Sequence, residues 1–173
     1  MKKKFVVAIF TDLDGSLLHR DTFKFDPIKN YIKNLINDGI IIIPNSSKTE
    51  KEIESFNEEL GIQLPYISEN GSSIHGLNLI NNNFPNKIIL SREKEELLKI
   101  FNDKIPEELK NKCAQVLKID KKEQEKIFGL KDNKLKDALN RKYTSPFLFK
   151  GDKNEKNRLL KILNSNLLTL QEG

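Results

Sequence analysis

Phe5-Val6-Val7-Ala8-Ile9-Phe10-Thr11-Asp12-Leu13-Asp14-Gly15-Ser16 is the stretch that decides how this chain is read. Its first six residues are a continuous apolar run rich in β-branched side chains, the pattern of a strand covered on both faces. The run ends in two acids spaced i, i+2, followed by a glycine. In open α/β sheets the ligand crevice lies outside the carboxyl ends of the strands, where these acids would stand. One carboxylate there can attack phosphorus and carry the phosphoryl group as an aspartyl phosphate. The other can protonate a departing alkoxide and then deprotonate the attacking water. Acids this close repel, so a hard cation such as Mg²⁺ is expected between carboxylate and phosphate oxygens. Gly15 lets the backbone turn away and present N–H groups to a phosphate. An EF-hand calcium loop fails on spacing, because its glycine holds the sixth position after a helix. Gly15 is the fourth residue counted from Asp12, and a strand precedes it.

Outward from this stretch, strand and helix alternate. Asp26-Pro27 reads as an N-cap followed by proline at the first helical position. Ile28, Tyr31, Ile32, Leu35 and Ile36 follow at helical spacing, and Gly39 is the stop. Ile40-Ile41-Ile42-Ile43 is a second buried strand, ending in Pro44-Asn45-Ser46-Ser47. Thr49 and Glu52 have the spacing of a capping box, and Ile53, Phe56 and Leu60 give the apolar stripe of the helix they open. Leu64-Pro65-Tyr66-Ile67 is a short third strand running into Ser68-Glu69-Asn70-Gly71. The β-α-β-α-β order predicts a parallel, right-handed α/β sheet. Ser46, at a strand end and just before a helix, suits a phosphate oxygen, with helix N–H groups behind it. The same place suits a plain helix cap, from Ser46 or from Ser47.

Beyond Gly76 the texture changes. Asn81-Asn82-Asn83 with Phe84-Pro85-Asn86 reads as a turn and a boundary, dividing residues 1–84 from residues 85–173. Ser91 is placed to cap a helix, Asp120 and Glu123 to start another, and Asp152 to cap one carrying Leu159, Leu160, Ile162 and Leu163. Phe147-Leu148-Phe149 and Leu167-Leu168-Thr169-Leu170 read as short strands.

The whole composition narrows the function classes. Of 173 residues, 37% are hydrophobic and 32% charged, which fits a globular domain with a real core. No run approaches the ~18 apolar residues of a membrane span. The net charge of +5 is spread along the chain, with no basic run interleaved with aromatics, which excludes nucleic acid as the partner. The lysine-rich start leads into no small-residue cleavage site, and the single cysteine, Cys113, cannot build a disulfide framework. Both point to the cytoplasm. His19 and His75 read as surface or satisfied histidines, and Cys113 as packed.

Asp12-Leu13-Asp14-Gly15-Ser16 resembles the first motif of the haloacid dehalogenase superfamily, and Ser46 in Pro44-Asn45-Ser46-Ser47-Lys48-Thr49 resembles its second. Glu69-Asn70-Gly71 resembles the element near the cap junction in the Cof-type branch, which carries an inserted cap. Within that branch, Ser46-Ser47-Lys48-Thr49 is similar to the mannosyl-3-phosphoglycerate phosphatases, as is the set Ala138, Arg141, Tyr143, Pro146 and Phe147. The resemblance implies a Rossmann-like α/β core with an inserted α+β cap. It implies Mg²⁺, with Asp12 as nucleophile and metal ligand and Asp14 as acid/base and, through its backbone carbonyl, metal ligand. Ser46 would hold the phosphoryl oxygen, and Ser47, Lys48, Asn70 and Arg141 would contact substrate. The implied reaction is hydrolysis of a small phosphorylated sugar or sugar-acid, here mannosyl-3-phosphoglycerate.

The pattern also breaks. The superfamily completes its site with a third-motif lysine and a fourth-motif acidic cluster, which in this branch follow the cap. Neither is met before Gly173, so the cap and core are expected to be incomplete, with a second chain as one source of the missing strands. Gly151-Asp152 with Lys142 or Lys150 could imitate these motifs, although Asp152 reads more simply as a helix cap. The rival readings are a general Cof-type sugar phosphatase and a non-catalytic remnant.

Overall fold

The computed structural model describes residues 7–171. It divides into two compact units, residues 1–91 and 92–173. The division falls later than the Asn81–Asn86 turn suggests, because a short strand at Lys87–Ile89 is hydrogen-bonded into the first unit.

In the first unit β1 (Ala8–Thr11) pairs in parallel with β2 (Ile41–Pro44), Ala8 opposite Ile41 and Thr11 opposite Pro44. Between them runs α1 (Asp26–Asn37), with Pro27 in its first turn. Asp26 lies inside the helix and Phe25 is the cap residue, so the expected Asp26 cap is not made. After β2 comes α2 (Glu50–Leu60), closed at its start by the Thr49–Glu52 capping box and at its end by Gly61 in the left-handed conformation. The third strand, β3 (Tyr66–Ser68), joins β2 through a single parallel bridge between Asn45 and Ile67. From there the sheet turns antiparallel. β4 (Ser73–His75) and β5 (Lys87–Ile89) complete a three-stranded ladder that the sequence reading did not contain.

The core of this unit gathers Leu13, Leu18, Phe25, Ile32, Ile42, Ile53, Phe56, Leu60, Leu64 and Tyr66. One expectation fails here. β1 is open, not covered on both faces: Val7 is 52% and Phe10 61% exposed. The helices pack against β2 and β3, and β1 pairs with no strand but β2 among the described residues. Residues 5 and 6 of the expected strand lie outside the described residues.

The second unit is α+β. α3 (Lys94–Lys104) and α4 (Glu107–Lys110) precede β6 (Cys113–Gln115), which pairs antiparallel with β7 (Phe147–Phe149). Between these strands lie α5 (Lys121–Phe128), capped by Asp120, and α6 (Asp132–Leu139). α7 (Lys153–Ser165) follows, with Asp152 and Glu155 forming a capping box. Ser91 does not cap α3, whose N-cap is Glu93. Residues 167–170 are not a strand: Leu167 has φ +58°, and Leu168 and Leu170 turn inward onto Ile105, Leu109, Leu159 and Leu163.

Candidate active site

Leu13 explains how two neighbouring acids come to stand at one strand tip. It is fully buried, an anchor worth about 1.5–3 kcal/mol. Leu18, also buried, closes the loop through its N–H to the Leu13 carbonyl at 2.7 Å and through the Gly15 N–H to its own carbonyl at 2.9 Å. With Leu13 turned inward, the flanking Asp12 is exposed and the Asp14 side chain is 36% exposed. Asp12 Oδ1 accepts from the Leu13 N–H at 2.7 Å, which fixes one carboxylate oxygen. Gly15 has φ +74° and open space where a Cβ would stand, so backbone conformation, not crowding, selects glycine.

The adjacent strand end brings the second motif alongside. The Asn45 N–H donates to the Thr11 carbonyl at 2.8 Å, continuing the β1–β2 ladder to the residues that matter. Ser46 is buried, and its hydroxyl accepts from the Lys48 N–H at 3.3 Å, leaving its own O–H to donate. The helix cap is taken by Thr49, which resolves the two readings of Ser46 and Ser47 against capping. Ser47 is exposed. Lys48 crosses to the first motif: its Nζ lies 3.1 Å from Asp14 Oδ2, 3.3 Å from Glu52 Oε1 and 5.0 Å from the Phe23 ring centroid.

The third loop is tied in by its backbone. The Asn70 N–H donates to the Ser46 carbonyl at 3.1 Å, and the Glu69 N–H to the Lys48 carbonyl at 2.9 Å. Glu69 and Asn70 have φ +46° and +59°, a pair of non-glycine residues in the left-handed region held there by these bonds. Asp12, Asp14, Ser46, Lys48 and Asn70 thus belong to three loops joined to one another. Arg141 belongs to the second unit, where its guanidinium donates to Thr144 at 2.8 Å and its carbonyl accepts from Lys94 Nζ at 3.0 Å. Glu52 and Phe23, which set the position of Lys48, were not singled out from sequence as site residues. The capping-box spacing marked Glu52 as structural, and nothing local marks Phe23.

A divalent cation fits the acidic pair in part. Asp14 Oδ1 is buried and has no hydrogen-bond partner, and the Asp12 carboxylate is exposed beside it in sequence. No three His, Cys, Asp or Glu side chains gather into a metal cluster among the described residues. Mg²⁺ suits such a site, since it keeps several waters and takes one or two carboxylates plus phosphate oxygens. Asp152, the alternative fourth-motif acid, is occupied as a cap, its Oδ1 accepting from the Glu155 N–H at 2.9 Å.

This arrangement is that of an α/β hydrolase, and the chain belongs to the haloacid dehalogenase-like hydrolases, whose family pattern matches residues 9–171. Among individual proteins, it is 31% identical over 159 residues to the glucosyl-3-phosphoglycerate/mannosyl-3-phosphoglycerate phosphatase of Persephonella marina, covering 87% of this chain and 58% of that protein. It is 46% identical over 66 residues to the mannosyl-3-phosphoglycerate phosphatase of Pyrococcus horikoshii, covering 38% of this chain and 26% of that one. The chain therefore spans well under two thirds of these relatives' lengths. A Thermoplasma acidophilum structure superposes with a TM-score of 0.62 at 14% identity, over 98% of this chain and 61% of that one. The HAD subclass IIB sugar phosphatase BT4131 gives 0.56 at 16%, over 92% and 64%. Both establish the fold.

Proposed function

We propose that this chain carries the phosphoaspartate half of a phosphomonoester hydrolase acting on a small phosphorylated sugar-acid, with mannosyl-3-phosphoglycerate the favoured substrate. The observation that carries the reading is the Lys48–Asp14 ion pair, which joins the first two motifs while Asp12 stays open at the strand tip. The names of the Persephonella and Pyrococcus relatives support the substrate class.

An Asp12 oxygen attacks phosphorus in line, the bond from phosphorus to the sugar-acid oxygen breaks, and Asp14 gives its proton to that oxygen. Water then attacks the acyl phosphate, Asp14 takes the water's proton, and Asp12 is regenerated as inorganic phosphate leaves. The Ser46 hydroxyl donates to a phosphoryl oxygen, and Ser47, Lys48 and Asn70 contact the rest of the substrate. Asp12 and Asp14 would hold Mg²⁺, which supplies charge neutralisation at the phosphoryl oxygens. The reaction is assigned to the cytoplasm. Residues 1–91 are assigned to the core and 92–173 to the cap.

The open flank of β1 supports one further element of this reading. Its exposed Val7, Ile9 and Phe10 suit a second polypeptide that adds a strand to this edge. The test is Mg²⁺-dependent phosphate release from mannosyl-3-phosphoglycerate and from p-nitrophenyl phosphate by the purified chain. Asp12→Asn is expected to lower turnover by about 10³-fold or more without changing thermal stability, since Asp12 is exposed. Equal turnover in wild type and Asp12→Asn would refute the assignment.

A further inference from the structure

Glu52 serves two neighbours at once. Its Oε2 accepts from the Thr49 N–H at 2.9 Å, while its own N–H donates to Thr49 Oγ1 at 3.2 Å, which closes the capping box of α2. Its Oε1 holds Lys48 Nζ at 3.3 Å. A capping box needs only the first of these, and glutamine fills it as well as glutamate. The second requires the charge.

The ammonium that Glu52 holds has two further neighbours. Asp14 Oδ2 stands at 3.1 Å and the Phe23 ring at 5.0 Å, and the side chains of Lys48 and Glu52 are only 11% and 10% exposed. A lysine stem is flexible and would otherwise sample many rotamers. Pinning the ammonium pins Asp14 Oδ2 in turn. Asp14 Oδ1 is left buried and without a hydrogen-bond partner.

We infer that Glu52 is a positioning residue for the reaction, acting through Lys48 to fix the carboxylate of Asp14. The inference rests on the phosphatase reading above. It also reassigns Lys48: an ammonium bonded to two carboxylates of its own chain orients the acid before it contacts substrate.

Glu52→Gln separates the two roles, because it keeps the capping box and removes the charge. Four quantities are to be measured on the full chain: kcat and KM for p-nitrophenyl phosphate with Mg²⁺, the thermal midpoint, and amine-reactive labelling of Lys48 read by peptide mass spectrometry. Glu52→Gln is expected to lower kcat about 10- to 100-fold while KM stays within about twofold. The midpoint should stay within about 2 °C of wild type, and Lys48 labelling should rise several-fold. Lys48→Met should lower kcat comparably, and the double variant no further, because both act through one contact. Should Glu52→Gln fail to fold, Lys48→Met tests the same contact with the capping box intact. Unchanged kcat with unchanged labelling overturns the inference. So does a rise confined to KM, which would assign Lys48 to substrate binding alone. If wild type releases no phosphate, the phosphatase reading falls by itself, and equal Lys48 labelling in wild type and Glu52→Gln would sink the positioning role independently.

Discussion

The two units bury different chemistry. In the first, Ser46, Lys48, Glu69, Ser73 and His75 are buried beside the apolar core, whereas among the described residues of the second, Gln124 is the buried polar side chain, donating to the Val116 carbonyl at 2.9 Å. Among the described residues of the second unit, ion pairs lie partly or largely in solvent. Arg158 and Glu108 pair at 2.6 Å with both side chains more than half exposed, a contact worth little. Buried polar groups cost free energy unless bonded, so a unit that keeps many of them does so for geometry rather than stability. The first unit uses them to fix loops at strand tips; the second is held by packing.

The largest stability effect should therefore come from the second unit. Leu159 is fully buried among Ile105, Leu109 and Leu163, and Leu159→Ala is expected to cost about 2–5 kcal/mol in denaturant unfolding. A loss below about 1 kcal/mol would break the contrast, showing a core that collapses around the gap.

A smaller loss is expected from the polar network of the first unit. Ser73 Oγ lies 2.8 Å from both Ser68 Oγ and His75 Nε2, and Ser73 is fully buried. Tyr66 stacks on His75, and burial, with Glu54 and Glu50 nearby, pushes its hydroxyl well above the ordinary tyrosine range. Ser73→Ala strands a buried hydroxyl and should cost about 1–3 kcal/mol. If it proves neutral, the network is not a bonded unit and the contrast with the second unit weakens.

The difference between the units also governs what could be read from sequence. Signals that act over one turn were legible: the Thr49–Glu52 box, Gly61 at the end of α2, and the caps at Asp120 and Asp152 all stand where spacing put them. Asp26 was misjudged as a cap, since proline next to it fixes a helix start only to within a residue. β4 and β5 were missed because three-residue strands such as Ser73-Ile74-His75 have too little alternation to signal themselves. The open face of β1 was misjudged for a different reason: an apolar run reports what a strand can bury, and burial depends on what lies against it. Lys48 reaching Asp14 is a tertiary contact between two loops, and no spacing within either loop encodes it.

The smallest effect concerns the second unit at high pH. Cys113 lies on β6 with its Sγ donating to the Leu109 carbonyl at 3.3 Å, and burial pushes the thiol up to about 11. An unfolded chain releases that proton from its ordinary value of about 8.5–9. The folded state thus binds more protons between about pH 9 and 11, so the stabilising contribution is complete below that window and disappears as pH rises through it. Wild type should lose more stability than Cys113→Ala across the window, as measured by denaturant midpoints at successive pH values. Tyr66 contributes an alkaline loss of the same sign from the first unit, and only the Cys113→Ala comparison subtracts it. Near pH 8 the raised value leaves about a hundredfold less thiolate than an ordinary cysteine has, so iodoacetamide should alkylate Cys113 correspondingly slowly. Alkylation at the rate of a free cysteine would mean that the thiol is accessible and that packing around β6 is looser than the second unit's apolar core implies.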